Sequence, residues 1–143
     1  MTETNNQDII NDIKAIHKKL TEYSEKAQGE SFLSYYENSP LFLHCSSDGK
    51  MRDYEAFKHI CAGYYHTLIE QKISTTFEKY NVFDKNLVIL SWTGNIFARF
   101  KNGNTMHMKN YSITSVFRKS KGKWNIIYSH ESALPPEIIK RGP

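Results

Sequence analysis

The residues that decide the fold run from Tyr111 to Ser132 and read YSITSVFRKSKGKWNIIYSHES. β-Branched and aromatic residues fill both halves of this stretch, and a polar turn with one glycine, Ser120–Lys123, separates the halves. Two such runs on either side of a glycine-bearing turn are typical of a β-hairpin. The stretch therefore predicts two adjacent antiparallel strands near the C-terminus.

The turn also fixes which side chains share a face of the hairpin. A turn of two or four residues pairs Phe117 with Ile126, and side chains then alternate between the two faces. Glu131 falls on the less apolar face in this register. A mostly apolar wall with a few polar groups is how small-molecule pockets are built, so we expect the other face to line a pocket. That face is predicted to carry Tyr111, Ile113, Ser115, Phe117, Trp124, Ile126, Tyr128 and His130.

Helical spacing of apolar residues predicts three helices before the long strands. The first covers Gln7–Gln28, and Gly29 is well placed to end it. A short second helix covers Ser31–Glu37, and Pro40 prevents its continuation. A third helix begins after its N-cap, Asp53.

Beyond Lys72 the apolar pattern changes to a period of two, which indicates strands. Gly94 interrupts one of them and marks a bulge or a bend. After Ala133 the chain is expected to leave the sheet. We therefore predict an α+β fold, in which a curved antiparallel sheet forms a cone and the three helices cover its concave face. The predicted strands are Leu41–Cys45, Ile73–Phe83, Leu87–Phe100, Met106–Lys119 and Trp124–Ser132.

Length and composition are those of one globular domain over residues 1–143, with 39% hydrophobic and 24% charged residues. No apolar run approaches the ~20 residues of a membrane span, and the polar, acidic N-terminus is unlike a secretory signal. Cys45 and Cys61 lack metal-type spacing, so we expect reduced, buried thiols and a cytoplasmic location. Residues 1–6 and 137–143 are expected to be flexible ends.

The net charge of +4 invites a nucleic-acid hypothesis. However, the basic residues are scattered, and their local clusters fall at a helix surface, a turn and the C-terminus. A nucleic-acid interface concentrates its positive charge on one face or groove. We therefore expect neither a nucleic-acid partner nor a membrane partner.

Three motifs near the C-terminus resemble the nuclear-transport-factor-2-like superfamily. They are Thr114–Arg118 (TSVFR), Gly122–Trp124 (GKW) and His130–Ser132 (HES), where the family reads T-R-V-aromatic, G-K-W and H-x-S. Within the superfamily, the chain is similar to the SnoaL-like branch that includes the association domain of calcium/calmodulin-dependent protein kinase II. Over the rest of the chain, the resemblance lies in the order of elements. It implies the cone-shaped NTF2-like fold, also called a cystatin-like roll.

The resemblance also implies that Ser115 and His130 face the cavity. The association domains have an arginine at the position of Ser115, so an anionic ligand held by that arginine does not carry over. Relatives in the superfamily include isomerases, dehydratases and epoxide hydrolases, which use Asp, Tyr or His for proton transfer. These cones host unrelated activities, so the fold alone does not give the function.

Proton transfer requires an ionisable side chain and a hydrogen-bond donor in the cavity. His130 is the candidate catalytic acid or base, with His44 and His107 as further histidines, whereas a carboxylate is missing from the predicted face. Each candidate also has a structural alternative, because buried histidines and tyrosines fill the core and form hydrogen bonds there. The ligand-binding candidates are Tyr64, Trp92, Tyr111, Ser115, Tyr128, His130 and His44.

Three functional hypotheses follow. The chain binds a small, largely apolar ligand in the cone; it is an isomerase, dehydratase or hydrolase that uses His130; or it is an assembly module. In the last case the outer sheet face, with Val116 and Ile127, forms a homodimer. We favour the first hypothesis together with a homodimer. No cofactor is expected, and no metal site, because only His59 and His66 share a helix and they lie seven residues apart.

Overall fold

The computed structural model describes residues 2–142, and within them the chain forms three helices and seven strands. The helices are α1 (Glu3–Glu25), α2 (Gly29–Leu33) and α3 (Tyr54–Thr67). The strands are β1 (Leu43–Cys45), β2 (Met51–Arg52), β3 (Leu68–Asp84), β4 (Leu87–Phe100), β5 (Thr105–Ser120), β6 (Lys123–Ser132) and β7 (Glu137–Ile139). Among these residues, no helix is both long and apolar enough to cross a membrane.

The strands build one curved, unclosed sheet in the order β2-β1-β6-β5-β4-β3, with β7 paired to β5. β3 to β6 form the predicted antiparallel meander. β1 runs parallel to β6, so the sheet is mixed rather than wholly antiparallel as predicted. The helices cover the concave face, where Ile13 of α1 and Phe57 of α3 share the core with Leu90, Phe117 and Ile126. The predicted α+β cone is confirmed.

β7 was not predicted. The expectation that the chain leaves the sheet after Ala133 is therefore wrong for Glu137–Ile139, the three residues of β7. They pair with Thr105–His107 at the start of β5. β6 covers β5 only from Ser112 onward. The first part of β5 would therefore present an open edge, and β7 fills it.

The two predicted flexible ends are partly within regular structure. α1 begins at Glu3 because Thr2 caps it, its side-chain oxygen accepting a hydrogen bond from the Asn5 backbone N–H at 3.4 Å. At the other end, residues 137–139 belong to β7. Met1 and Pro143, which belong to the same predicted ends, lie outside the described residues.

The hairpin turn is the two-residue kind. Lys121 and Gly122 connect β5 to β6 with φ angles of 52° and 77°, which match the type I′ turn that suits the twist of a hairpin. Phe117 pairs with Ile126, as predicted. On the next step the ladder shifts, because Val116 pairs with Tyr128 and leaves Ile127 as one extra residue in β6. Ile127 therefore forms a β-bulge.

The bulge reverses the predicted faces beyond Ile126. Ser115 pairs with Ser129 instead of Tyr128, and Ile113 pairs with Glu131 instead of His130. The prediction that Tyr128 and His130 face the concave side is therefore wrong, since residues directly opposite on paired strands share a face. Ser129 and Glu131 take those positions.

Gly94 lies at a second irregularity, as predicted. The β4–β5 ladder shifts between Gly94 and Ile96, and the β3–β4 ladder shifts beside Thr75, the partner of Gly94. A Cβ atom at Gly94 would lie 2.3 Å from the Ser74 carbonyl oxygen and 2.5 Å from the Trp92 ring. The glycine therefore permits the sheet to bend and the indole of Trp92 to lie against its backbone.

Candidate functional site

A cavity of about 410 Å³ lies between the helices and the concave face of the sheet. This volume is in the range of small-molecule sites. Its wall is mainly apolar and aromatic, and Ile60 of α3, which is 36% exposed, lies at its rim. Among residues 2–142, the wall contains one carboxyl side chain, Glu131, and no lysine or arginine.

Four of the predicted site residues lie on this wall: Tyr64, Trp92, Tyr111 and Ser115. His44 is buried behind the wall. His130 is exposed on the outer face of the sheet, and its Nδ1 atom lies 3.4 Å from the Tyr128 hydroxyl on the same face. The structure therefore does not bring His44, Tyr128 or His130 to the cavity wall.

Glu131 occupies the position that the bulge turns inward. Its side chain is 24% exposed, and burial raises the pKa of the carboxyl above its usual value. The Tyr111 hydroxyl and, more weakly, the Arg52 guanidinium oppose this rise in pKa. Burial also raises the pKa of Tyr111 well above its usual value, and Glu131 adds to that shift. Tyr111 therefore remains a protonated donor beside the carboxyl.

His44 supports Glu131 from behind. Its Nδ1 atom shares a hydrogen bond of 2.6 Å with the Ser129 hydroxyl, and its ring packs on Phe57 with 4.4 Å between centroids. Burial lowers the pKa of His44 to about 4, with further lowering by the positive charge of Arg52. The imidazole is therefore neutral at pH 7. Its Nε2 atom lies 3.5 Å from a Glu131 oxygen, a contact between a neutral ring and a carboxyl rather than an ion pair.

A closed hydrogen-bond network joins α1, α3 and β3 on another part of the wall. The Gln71 amide nitrogen donates to the Ser24 hydroxyl at 2.7 Å, and the Tyr64 hydroxyl donates to the Gln71 amide oxygen at 2.7 Å. The Tyr65 hydroxyl contacts the Ser24 hydroxyl at 2.8 Å. Burial raises the pKa of Tyr64 to about 12. These groups satisfy one another's hydrogen-bonding capacity, so the network has a structural role in fixing the shape of the wall.

His17 of α1 is a further wall residue that was not predicted as a site residue. Its ring lies 6.0 Å from that of Trp92, centroid to centroid. Burial lowers the pKa of His17, and the negative charge of Glu78 opposes this. Its Nε2 atom is buried without a hydrogen-bond partner among the described residues.

Sequence reasoning missed Glu131 and His17 for different reasons. Nothing in the residues around Ile127 distinguishes a bulge from a regular strand, so the orientation of Glu131 had no sequence signal. His17 did have one, because it lies four residues after Ile13 and three before Leu20 on the buried stripe of α1. A helical stripe defined by apolar residues alone leaves out a polar side chain such as His17.

Within positions 2–142, no three or more His, Cys, Asp and Glu side chains lie close enough together to hold a metal ion. The cavity wall itself supplies one carboxyl and one imidazole, Glu131 and His17. The arrangement suits proton transfer and hydrogen bonding to an organic molecule.

The curved sheet, its three covering helices and the mainly apolar cavity between them define a cone-shaped domain of the nuclear-transport-factor-2-like class. The chain belongs to the SnoaL-like domain family, which matches residues 13–136. No curated protein matches it in sequence.

Solved structures with the same fold are distant in sequence. A protein of Novosphingobium aromaticivorans, provisionally named scytalone dehydratase, superposes with a TM-score of 0.80 at 7% identity over 95% of this chain and 91% of that one. A hexachlorocyclohexane dehydrochlorinase of Novosphingobium barchaimii gives a TM-score of 0.77 at 9% identity over 99% of each chain. A Xanthomonas campestris protein, provisionally assigned as a calcium/calmodulin-dependent protein kinase II association domain, gives 0.72 at 17% identity over 87% and 86%. These likenesses concern the fold.

Proposed function

We propose that this protein binds a small, uncharged, largely apolar molecule in the cone and that Glu131 transfers a proton to or from it. The observation that carries the proposal is the single carboxyl group among the described residues of a mainly apolar and uncharged cavity wall, with its pKa raised by burial. A general acid or base works best when its pKa is close to the working pH, and burial moves a carboxyl in that direction. A cytoplasmic location fits the two free thiols, Cys45 and Cys61.

The surroundings of Glu131 support this role. The Tyr111 hydroxyl donates to Glu131 while the carboxyl is ionised; once Glu131 has accepted a proton, the hydroxyl can donate instead to negative charge that develops on the bound molecule. His44 and Ser129, hydrogen-bonded to each other, pack behind Glu131 and limit its movement. The absence of lysine and arginine from the described wall disfavours anionic ligands.

Two of the structural neighbours are consistent with such chemistry. One is provisionally named a dehydratase and the other is a dehydrochlorinase. Removal of water or of hydrogen chloride from an organic molecule requires loss of a proton from carbon and departure of a leaving group. By this analogy, Glu131 is the base and the substrate is a small ring compound with a leaving group next to an acidic C–H bond.

The test compares wild type with Glu131→Gln. Neutral ring compounds with hydroxyl, carbonyl or halogen groups are first screened by thermal shift, since a ligand of the native state raises the melting temperature. Bound compounds are then assayed for elimination or isomerisation. We expect Glu131→Gln to bind the same compounds but to turn them over about 100-fold more slowly. Unchanged turnover would reject Glu131 as the acid or base, and no binding by wild type would reject the whole proposal.

The same variant gives a stability readout without a ligand. Because the folded state raises the pKa of Glu131, the ionised carboxyl destabilises the fold above that pKa. Glu131→Gln is therefore expected to melt at a higher temperature than wild type at pH 8, with a difference that shrinks towards pH 4. A lower melting temperature at pH 8 would contradict the burial of this charge.

We also propose that two copies associate through the outer face of the sheet. This face presents Ile89, Val116 and the bulge residue Ile127, partly buried, beside Phe77, which is 55% exposed. A sheet face with this many apolar side chains and no covering helix gains by burial against a second copy.

Light scattering tests the dimer. Wild type is expected at twice the chain mass of 16.7 kDa, and Val116→Asp at the single mass. Lys85→Asp, in the exposed turn between β3 and β4, introduces the same side chain away from this face and should leave the dimer intact. A wild-type monomer at micromolar concentration would reject the proposal.

A further inference from the structure

Among the described residues that line the cavity, His17 alone has a side-chain nitrogen or oxygen atom that is fully buried without a hydrogen-bond partner. Its Nε2 atom is buried without a partner in the part of the chain that the structure describes. By contrast, the polar atoms of Ser24, Tyr64 and Gln71 on the same wall are all hydrogen-bonded. A buried polar group without a partner costs stability.

Packing does not require a histidine at this position. The ring of His17 lies against Trp92 on the stripe of α1 that also carries Ile13 and Leu20. A phenylalanine has a similar planar ring and would bury no orphaned nitrogen. The imidazole is neutral at pH 7, since burial lowers its pKa, so it is no ion-pair partner for Glu78. Its buried nitrogen thus has no structural explanation.

We propose that His17 is a ligand-binding residue: its ring turns about the Cβ–Cγ bond when a ligand enters, so that Nε2, which is fully buried in the free chain, hydrogen-bonds the end of the ligand that lies away from Glu131. This inference rests on the proposed function, because it adds a second polar contact to the same cavity. It also narrows the proposed ligand class from small, uncharged, largely apolar molecules to uncharged ring compounds with a polar group at each of two ends. A hydroxyl fits the His17 end best, because it can donate to or accept from either tautomer of the imidazole.

The sheet sets the scale of the separation between Glu131 and Trp92, the ring against which His17 packs. Trp92, which carries the ring under His17, pairs with Ile113, and Ile113 pairs with Glu131. Trp92 and Glu131 are therefore separated by two strand spacings, about 10 Å between backbones. A ligand of two rings, with hydroxyls at opposite ends, spans this distance within a cavity of about 410 Å³.

The experiment measures the affinity of biphenyl and of 4,4′-dihydroxybiphenyl for four proteins by isothermal titration. The proteins are wild type and the variants His17→Phe, His17→Gln and His17→Asn. The glutamine amide nitrogen can take the place of Nε2, whereas the asparagine amide reaches only the place of Nδ1. Wild type is expected to prefer the dihydroxy compound, and one hydrogen bond contributes about 3- to 10-fold of this preference.

The variants separate a ligand contact from a packing role. His17→Phe should bind biphenyl like wild type, lose about 3- to 10-fold of the preference for the dihydroxy compound, and melt no lower than wild type. His17→Gln should keep the preference and His17→Asn should lose it. Retention of the full preference by His17→Phe would overturn the role of His17 and leave the cavity as a binding site. If wild type binds neither probe, the ligand class inferred here fails, whereas the proposed function is rejected only when no compound of the wider screen binds.

Discussion

Replacing Gly94 by alanine is expected to destabilise the fold by about 3 kcal/mol or more, at the upper end of the range for overpacked sites. The added Cβ atom would lie 2.3 Å from the Ser74 carbonyl oxygen, which is backbone of the neighbouring strand β3. It would also lie 2.5 Å from the Trp92 ring. That ring cannot move freely, because its N–H donates to the Thr75 hydroxyl at 2.8 Å. The strands must therefore separate, and the cavity wall formed by Trp92 must shift.

Gly63 provides the matched control. It lies in the middle of α3, and a Cβ atom there would meet nothing within 4 Å. Gly63→Ala is therefore expected to stabilise the protein by about 0.5–1 kcal/mol, the usual gain of alanine over glycine in a helix. Urea denaturation followed by circular dichroism measures both variants. Equal midpoints for wild type and Gly94→Ala would contradict the close approach of β3 and Trp92 at this position.

Acidification is expected to destabilise the protein through His44. The folded state lowers the pKa of this side chain from 6.5 to about 4. Between pH 6.5 and pH 4, the imidazole is therefore protonated in the unfolded chain but neutral in the folded chain. Stability is therefore complete above pH 6.5 and is lost as the pH falls towards 4. At about 1.4 kcal/mol per pKa unit, the loss is on the order of 3 kcal/mol.

His44→Asn isolates this effect. The asparagine amide can replace Nδ1 in the hydrogen bond to Ser129 but does not titrate. Urea denaturation at pH 7 and at pH 4 should show a smaller stability loss in the variant, by on the order of 3 kcal/mol. The comparison is needed because Glu131, with its raised pKa, contributes a trend of opposite sign. Equal losses in the two proteins would show that His44 is not held neutral by burial.

The fold followed from the sequence because its signals are local. Helical spacing predicted three helices, alternation predicted four long strands, and the Lys121-Gly122 turn set the pairing of Phe117 with Ile126. β3 began earlier than predicted, at Leu68, because α3 continues into it directly and the first residues of the strand lack alternation. β2 and β7 were not predicted, because two and three residues are too few for any periodicity. β1 also has three residues, but it was predicted as part of the stretch Leu41–Cys45.

The candidate site followed only in part. Trp92, Tyr111 and Ser115 reached the cavity because alternation holds along β4 and the second half of β5. Tyr128 and His130 did not reach the cavity, because the extra residue Ile127 reverses the faces of the side chains that follow it. Ile126, Ile127 and Tyr128 are all good strand formers, so the sequence does not indicate a bulge there. Sequence reasoning therefore selected a histidine and overlooked a carboxyl one position away. Ser115 was placed correctly because it lies on β5, whereas the extra residue, Ile127, lies on β6.

The bulge at Ile127 also suggests how such a cavity can change its chemistry during evolution. If Ile127 paired with Val116, the regular ladder would be restored at unchanged chain length, and the neighbours Glu131 and His130 would exchange between the inside and the outside of the cone. An imidazole would thus replace an acid while the turn, the core pair Phe117 and Ile126 and the helices stay in place. Substitutions that favour or disfavour the bulge, and not only substitutions of the wall residues themselves, are therefore a route by which cones of this kind diversify.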